Sequence, residues 1–265
     1  MLRRAQRAIA NGYRNWKYGS NYQPAFGLGA FVAYFFPGVK RVLDLDFRLM
    51  PKAWPGAKLL DVGFGNGAFL EMALAAGWDC AGVDMDPIVV RNAKAKGLNV
   101  RMGSIDAFAN YSEQFDVITI SHVVEHLYSP IDALRLAHKL LKPGGRLWLD
   151  TPNIESLGHA RYGRHWRGLE PPRHLVIFGP KSIRLAMGQA GFCTWQEINR
   201  AEMTQPMFLA SEQIQRGTYP LSDSAARADW QTRLAAFKNR FSVRQGEYLT
   251  FVAHKKVGTD ENHSR

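Results

Sequence analysis

From Lys58 onward, short apolar runs alternate with segments of helical periodicity, the pattern of a parallel sheet whose strands are joined by crossover helices. The runs predict strands at Lys58 to Val62, Asp79 to Val83, Asn99 to Met102, Phe115 to Ser121 and Arg146 to Asp150. After the first, Phe69, Leu70, Ala73 and Leu74 share one helical face and Gly77 ends the helix. Asp86 reads as the cap of a second helix, with Pro87 in its first turn and Gly97 at its end. Ser129-Pro130-Ile131-Asp132 opens a third, in the manner of a capping box, which ends before Pro143-Gly144-Gly145. A helix from near Pro180 to Gly191 precedes a strand from Phe192 to Asn199, and the last strand is Glu247 to His254. Between those two strands, Trp230, Leu234, Phe237 and Phe241 recur at helical spacing, so residues 205–241 read as a helical insertion with a core-facing stripe. The expected fold is a doubly wound, mostly parallel α/β sheet of seven strands with an antiparallel last strand.

The regions outside the sheet divide the chain further. Residues 58–256 form the expected main domain, residues 1–57 a basic and aromatic helical segment, and residues from 257 a disordered tail. The apolar run from Ala25 to Phe36 is 12 residues long, short of the roughly 20 that span a bilayer, so no transmembrane helix is expected. A buried segment or a substrate-side lid is the first reading of that run. A peripheral contact with a membrane surface is the alternative, because basic stretches flank it. Tyr13, Trp16, Tyr18 and Tyr22, interleaved with Arg14 and Lys17, read either as a lid over a cleft or as aromatic packing at the domain edge.

The chain's 265 residues, 46% hydrophobic and 22% charged, exclude a disordered or fibrous protein. Two distant cysteines, Cys80 and Cys193, read as free thiols and suggest a cytoplasmic protein. The net charge of +11 is uneven: +8 over residues 1–58, −3 over 59–150 and +6 over 151–265. Basic flanks favour an anionic partner, such as a phosphorylated small molecule, a lipid headgroup or nucleic acid. Composition is silent on oligomeric state.

The chemistry begins at Asp61-Val62-Gly63-Phe64-Gly65-Asn66-Gly67-Ala68, a glycine turn between the first strand and its helix, where open α/β sheets bind ligands. Gly63, Gly65 and Ala68 satisfy a dinucleotide fingerprint, and Asp84 lies 21 residues beyond Gly63, where NAD proteins keep a ribose-binding acid. Three features weigh toward another cofactor. Asp61 precedes the turn, the third glycine is Gly67, and Gly103-Ser104-Ile105-Asp106 puts a second acid at a strand end. With LLDVGFGNGAFL, GVDMDP, GSIDAF, FDVITISHVVEHL and LKPGGRLWLDTPN, the chain resembles the class I S-adenosylmethionine-dependent methyltransferases, which have a Rossmann-like fold. The resemblance runs from about Lys58 to Phe192. It implies that the 61–67 turn, with Asp61, Gly63, Phe64, Gly65, Asn66 and Gly67, holds the cofactor's methionine and ribose, and that Asp84, beside Met85, holds both ribose hydroxyls. It also implies that Ser104, Ile105 and Asp106 receive the adenine, and that Ser121 closes the cofactor site. A carboxylate suits a diol because it offers several acceptor sites and no donor.

His122-Val123-Val124-Glu125-His126 matches a zinc-protease signature, but that signature needs a long helix. Here a strand precedes the segment and Pro130 follows it, so the protease reading fails. The segment resembles the E-x-x-E-H of the ubiquinone-biosynthesis O-methyltransferases, which is associated with a divalent cation. Glu125 and His126 match, whereas His122 replaces the first Glu, so magnesium, which prefers carboxylate oxygens, is not expected. His122, His126 and His174 are candidate general bases, since imidazole titrates near neutrality.

After the fifth strand, Trp166-Arg167-Gly168 and Pro171-Pro172-Arg173-His174-Leu175 resemble a W-R-G...P-R-H-L stretch of methyltransferases found among glycan- and lipid-biosynthetic enzymes. The expectation is that Trp166, Arg173 and His174 face an anionic acceptor, Arg173 gripping phosphate or carboxylate. The expected reaction is methyl transfer to oxygen of a small or lipid- or glycan-linked acceptor. RNA methylation, NAD-dependent oxidoreduction and a non-catalytic nucleotide-binding scaffold are the alternatives.

Overall fold

The computed structural model describes residues 2–219 and 230–257. The chain divides into two compact units, Met1–Ala107 and Phe108–Arg265. Its strands form one mixed, Rossmann-like sheet of order β3-β2-β1-β4-β5-β7-β6, in which β7 runs antiparallel to both neighbours.

The first unit opens with three helices, α1 (Leu2–Tyr18), α2 (Gly29–Phe35) and α3 (Pro37–Asp46). Buried Asp44 ties α1 to α3, since its carboxylate accepts from Tyr13, Tyr18 and Lys17. Tyr13 and Tyr18 are therefore buried in the packing of α1 on α3, while Trp16 is exposed. The apolar run from Ala25 to Phe36 departs from its buried reading: Phe26, Leu28, Phe31, Tyr34, Phe35 and Phe36 are all exposed.

There follow β1 (Lys58–Val62), α4 (Ala68–Ala75), β2 (Asp79–Asp84), α5 (Pro87–Ala95) and β3 (Val100–Met102), the strands pairing in parallel. Leu59, Leu60, Asp61 and Val62 are all buried, as expected of a strand covered on both faces. A Cβ at Gly82 would lie 2.7 Å from Leu70 and 2.9 Å from Phe64, so only glycine lets α4 and the turn before it close on β2. Asp86 caps α5 by accepting from the N–H groups of Ile88 and Val89.

The second unit contains β4 (Phe115–Ser121), α6 (Pro130–Leu140), β5 (Leu141–Pro152), α7 (Leu157–Tyr162), α8 (Pro180–Gln189), β6 (Thr194–Glu197), α9 (Thr204–Gln215), α10 (Trp230–Asn239) and β7 (Tyr248–His254). Ser129 makes no side-chain cap on α6, contrary to its sequence pattern. β5 begins earlier than expected because Phe115 pairs with Leu141 across an irregularity that takes up the Pro143-Gly144-Gly145 turn.

Where the sequence predicted a core stripe, Trp230, Leu234, Phe237 and Phe241 are exposed. α10 buries Thr232 and Asn239 instead, and the Asn239 amide donates to the Thr204 hydroxyl. With Thr232 and Asn239 on the inward side, the aromatic face turns outward. Residues 220–229 of the expected insertion and 258–265 of the expected tail lie outside the described residues. Cys80 is buried and Cys193 exposed, both free, and burial pushes the Cys80 thiol up to about 12. No helix among the described residues is long and apolar enough to cross a membrane.

Candidate functional site

In the first unit the glycine turn takes its shape from backbone angles that favour glycine. Gly63, Gly65 and Gly67 have φ of 69°, 56° and 78°. Gly63 N–H donates to the Val83 carbonyl at 2.7 Å, tying the turn to β2. A Cβ at Gly65 would meet nothing within 4 Å, so the chain at that glycine faces open space. A Cβ at Gly67 would lie 2.9 Å from Leu98.

Asp84, at the end of β2, is the polar centre of this turn. One carboxylate oxygen accepts from Gly65 N–H and the other from Asp86 N–H, both at 3.0 Å. Those bonds orient the carboxylate and leave acceptor capacity for a diol, since a carboxylate has about four lone-pair sites. An open glycine backbone beside an oriented, half-buried carboxylate fits the ribose of a nucleoside cofactor.

The remaining residues assigned to the cofactor differ in what they offer. Asp61 is fully buried and ion-paired with Arg48 at 2.5 Å, and the Arg48 guanidinium lies 3.7 Å from the Phe69 ring centre. Its side chain therefore supports the turn from beneath. Phe64 is buried, so this residue presents only backbone, while the Asn66 side chain accepts from Ala68 N–H, just before the Gly67 cap of α4. Met85 is exposed and Ile105 buried. Asp106 is exposed and accepts from the Ser104 hydroxyl.

The second unit gathers residues that lie far apart in the sequence. Ser121 ends β4 half-buried, and His122 follows with φ 57°, a left-handed conformation that is strained for a non-glycine residue. Its Nδ1 lies 3.5 Å from Glu125 Oε1 and its Nε2 3.5 Å from Asp150 Oδ2. Desolvation disfavours a charged His122 ring, but the neighbouring Glu125 and Asp150 carboxylates outweigh it, so the pKa lies above its ordinary value. Asp150 is itself held by Thr250 and Arg200, and the Tyr248 ring meets His122 edge-on at 4.7 Å.

Glu125 is fully buried. Its Oε2 accepts from Thr151, while Oε1 has no hydrogen-bond partner among the described residues. The loop after α7 docks here through its backbone, since Leu175 and Val176 N–H both donate to the Glu125 carbonyl. That docking sets the His174 ring 4.7 Å from the His126 ring. Each histidine donates its Nδ1–H to a backbone carbonyl, His126 to Arg173 and His174 to Gly168, at 2.8 Å. In the neutral form this leaves both Nε2 lone pairs available. Burial pulls the His174 pKa below its ordinary value.

One ligand atom from each of Glu125, His126 and His174 lies within 4.8 Å of the other two. Two imidazoles oriented by carbonyls, with a buried carboxylate, form a donor set suited to a transition-metal ion more than to magnesium.

Arg173 is exposed and bonded to Glu170 at 2.8 Å, and Glu170 also pairs with Arg167. Trp166, expected to face an acceptor, is instead 1% exposed among Tyr162, Met207 and Phe208. Its indole N–H donates to buried Glu247 at 2.8 Å, and that bond makes burial of the ring affordable. Sequence reasoning missed Asp150, Thr151, Glu170 and Glu247 as parts of this assembly. For Asp150 the available signal was a carboxylate at a strand's carboxyl end; for Glu247, 81 residues from Trp166, there was none.

A family model described as a methyltransferase domain matches residues 35–197. The ubiquinone biosynthesis O-methyltransferase of Xanthomonas campestris pv. campestris (strain B100) is 34% identical over 116 residues, covering 41% of this chain and 48% of that protein. Its counterpart in Roseobacter denitrificans is 39% identical over 109 residues, covering 39% and 44%. The chain thus spans about half the length of the curated relatives it matches. Among solved structures, phosphoethanolamine N-methyltransferase 2 of Haemonchus contortus superposes with a TM-score of 0.57 at 15% identity, covering 96% of this chain and 59% of that one. A SAM-dependent methyltransferase from Archaeoglobus fulgidus gives 0.52 at 21%, covering 75% and 86%. At these identities the superpositions establish the fold alone.

Proposed function

The chain belongs to the methyltransferase-domain family, and from that membership we propose that it transfers a methyl group from S-adenosylmethionine to an oxygen of a small or lipid- or glycan-linked anionic acceptor. The observation that carries the cofactor assignment is Asp84, its carboxylate oriented by Gly65 and Asp86 N–H beside an open glycine turn. Asp84 would accept from the ribose hydroxyls, Asp106 and Ser104 would hold the adenine, and the 63–67 backbone would hold the methionine portion. When bound, the cofactor supplies an activated methyl on a sulfonium, so alignment accounts for much of the catalysis.

For a hydroxyl acceptor, His122 would take the hydroxyl proton as that oxygen received the methyl group the cofactor would supply, the sulfonium leaving as the neutral thioether. Glu125 and Asp150 flank both ring nitrogens, so a proton arriving on His122 gains a carboxylate on either side. Arg173 keeps guanidinium donors beyond its bond to Glu170 for phosphate or carboxylate, and His174 and His126 line the same loop. Trp166 orders that loop from within.

The Glu125, His126 and His174 cluster favours a second reading. These three residues would hold a divalent ion that lowers the pKa of an acceptor hydroxyl, leaving His122 to orient Glu125.

Calorimetric titration with S-adenosylhomocysteine and with NADH tests the cofactor. Binding of the first, lost in Asp84→Asn, supports the reading, and NADH binding in its place refutes it. Single-turnover transfer of labelled methyl to hydroxyl, amine and RNA acceptors tests the rest. Transfer to oxygen that collapses in His122→Gln and survives chelation supports the base mechanism, loss on chelation restored by Zn²⁺ supports the metal, and transfer to RNA alone removes the proposed acceptor class.

A further inference from the structure

Hydrophobic residues of a surface helix ordinarily face the core. α2 does the reverse. It buries Gly29 and Ala33 and exposes Phe31, Tyr34 and Phe35. The inversion is built into its packing on α1. A Cβ at Gly29 would lie 2.3 Å from the Ile9 carbonyl oxygen, and one at Gly12 would lie 2.0 Å from that of Phe26. Two glycines thus let backbone meet backbone, and no side chain larger than hydrogen fits between them. Phe26 N–H donates to the Ala8 carbonyl at 2.8 Å and closes the same junction.

The outward face continues without a break into α3. Phe31 and Phe35 stack with ring centres 4.3 Å apart, and Tyr34 meets Phe35 at 5.5 Å. Phe36, Val39 and Val42 are exposed in turn, while α3 buries Asp44 and Leu45 near its other end. Lys40 and Arg41, between Val39 and Val42 in the chain, are exposed as well.

Charge identifies the occupant. Asp44 is the first acidic residue of the chain, and seven Lys or Arg precede it. Asp44 is itself committed to Tyr13, Tyr18, Lys17 and Lys40. A second copy docking by the same face would bring one net-basic surface against another, a like-charge contact that disfavours self-pairing. An anionic lipid surface meets both features at once, because its acyl boundary takes the aromatic face and its headgroups take the bases.

We propose that the exposed face of α2 and α3 seats the protein on the headgroup boundary of an anionic bilayer. The assignment concerns the surface of the first unit and holds whatever acceptor is methylated.

The test is sedimentation of the full chain with vesicles of phosphatidylcholine, alone or mixed with phosphatidylglycerol, for the wild type, Phe31→Ser/Phe35→Ser and Lys40→Gln/Arg41→Gln. Circular dichroism and S-adenosylhomocysteine binding check the fold of each variant. The wild type should pellet with the anionic vesicles, less so as salt rises, and each double variant should partition at least about tenfold more weakly. Wild type that stays in the supernatant, or variants that pellet as it does, overturns the proposal. So does self-association in sedimentation velocity that Phe31→Ser/Phe35→Ser abolishes, since a second copy would then cover the face.

Discussion

Glu247 should make the second unit's stability depend on pH in a direction opposite to an ordinary paired carboxylate. Its side chain is fully buried and accepts from Gly158 N–H at 2.9 Å and from the Trp166 indole. Burial pushes its carboxyl up to about 7, against hydrogen bonds from Trp166, Gly158 and Ser156 that favour the ionised form. The folded state therefore holds the proton more tightly than the unfolded state does. Below pH 4.5 both states are protonated and nothing is lost. As pH rises the unfolded state ionises first, stability falls, and the loss is complete once pH has passed about 7. The full loss is about 3 kcal/mol. Glu247→Gln removes the titration and leaves a fixed offset for an amide facing a donor. Urea unfolding followed by circular dichroism at several pH values, wild type against variant, should show a stability difference that moves in the variant's favour by about 3 kcal/mol between pH 4.5 and 8. Parallel curves would refute the burial argument.

Asp84→Asn should weaken S-adenosylhomocysteine binding about a hundredfold, the loss of charge-assisted bonds to a diol; an unchanged calorimetric Kd contradicts the ribose assignment. Gly67→Ala combines φ of 78° with a clash against Leu98 at 2.9 Å, so urea unfolding should show a loss of about 1–3 kcal/mol, and a neutral result would mean that the turn relaxes freely. For Asp150→Asn, removing one of the charges that raise the His122 pKa should move the rising limb of the pH–rate profile to lower pH, because a base works once deprotonated. An unmoved limb would show that His122 is not the titrating group.

The part of the first unit from β1 to β3 was legible in the sequence because its chemistry is local. The glycine turn, Asp84 and the Asp86-Pro87 cap are each set by a few consecutive residues, and each stands where the pattern put it. Hydrophobic alternation likewise placed β1 and β4 to the residue. Long-range contacts were not legible. His126 and His174 meet only because the loop carrying His174 donates two backbone bonds to the Glu125 carbonyl. Trp166 looked like a surface aromatic because nothing near it in sequence announces Glu247. The α10 stripe misled for a related reason, since a helical period shows which residues share a face but not whether that face or the Thr232 and Asn239 face turns inward.

The left-handed backbone at His122 sets evolution a dilemma. Replacing it by glycine would relieve strain of about 1–3 kcal/mol and delete the imidazole that Glu125 and Asp150 flank. If His122 is the base proposed above, a gain in robustness at this position is a loss of chemistry. A library of variants sorted by thermal resistance alone should therefore drift toward glycine here, and retention of histidine once methyl transfer is selected as well would measure how strongly activity opposes the pull toward a relaxed chain.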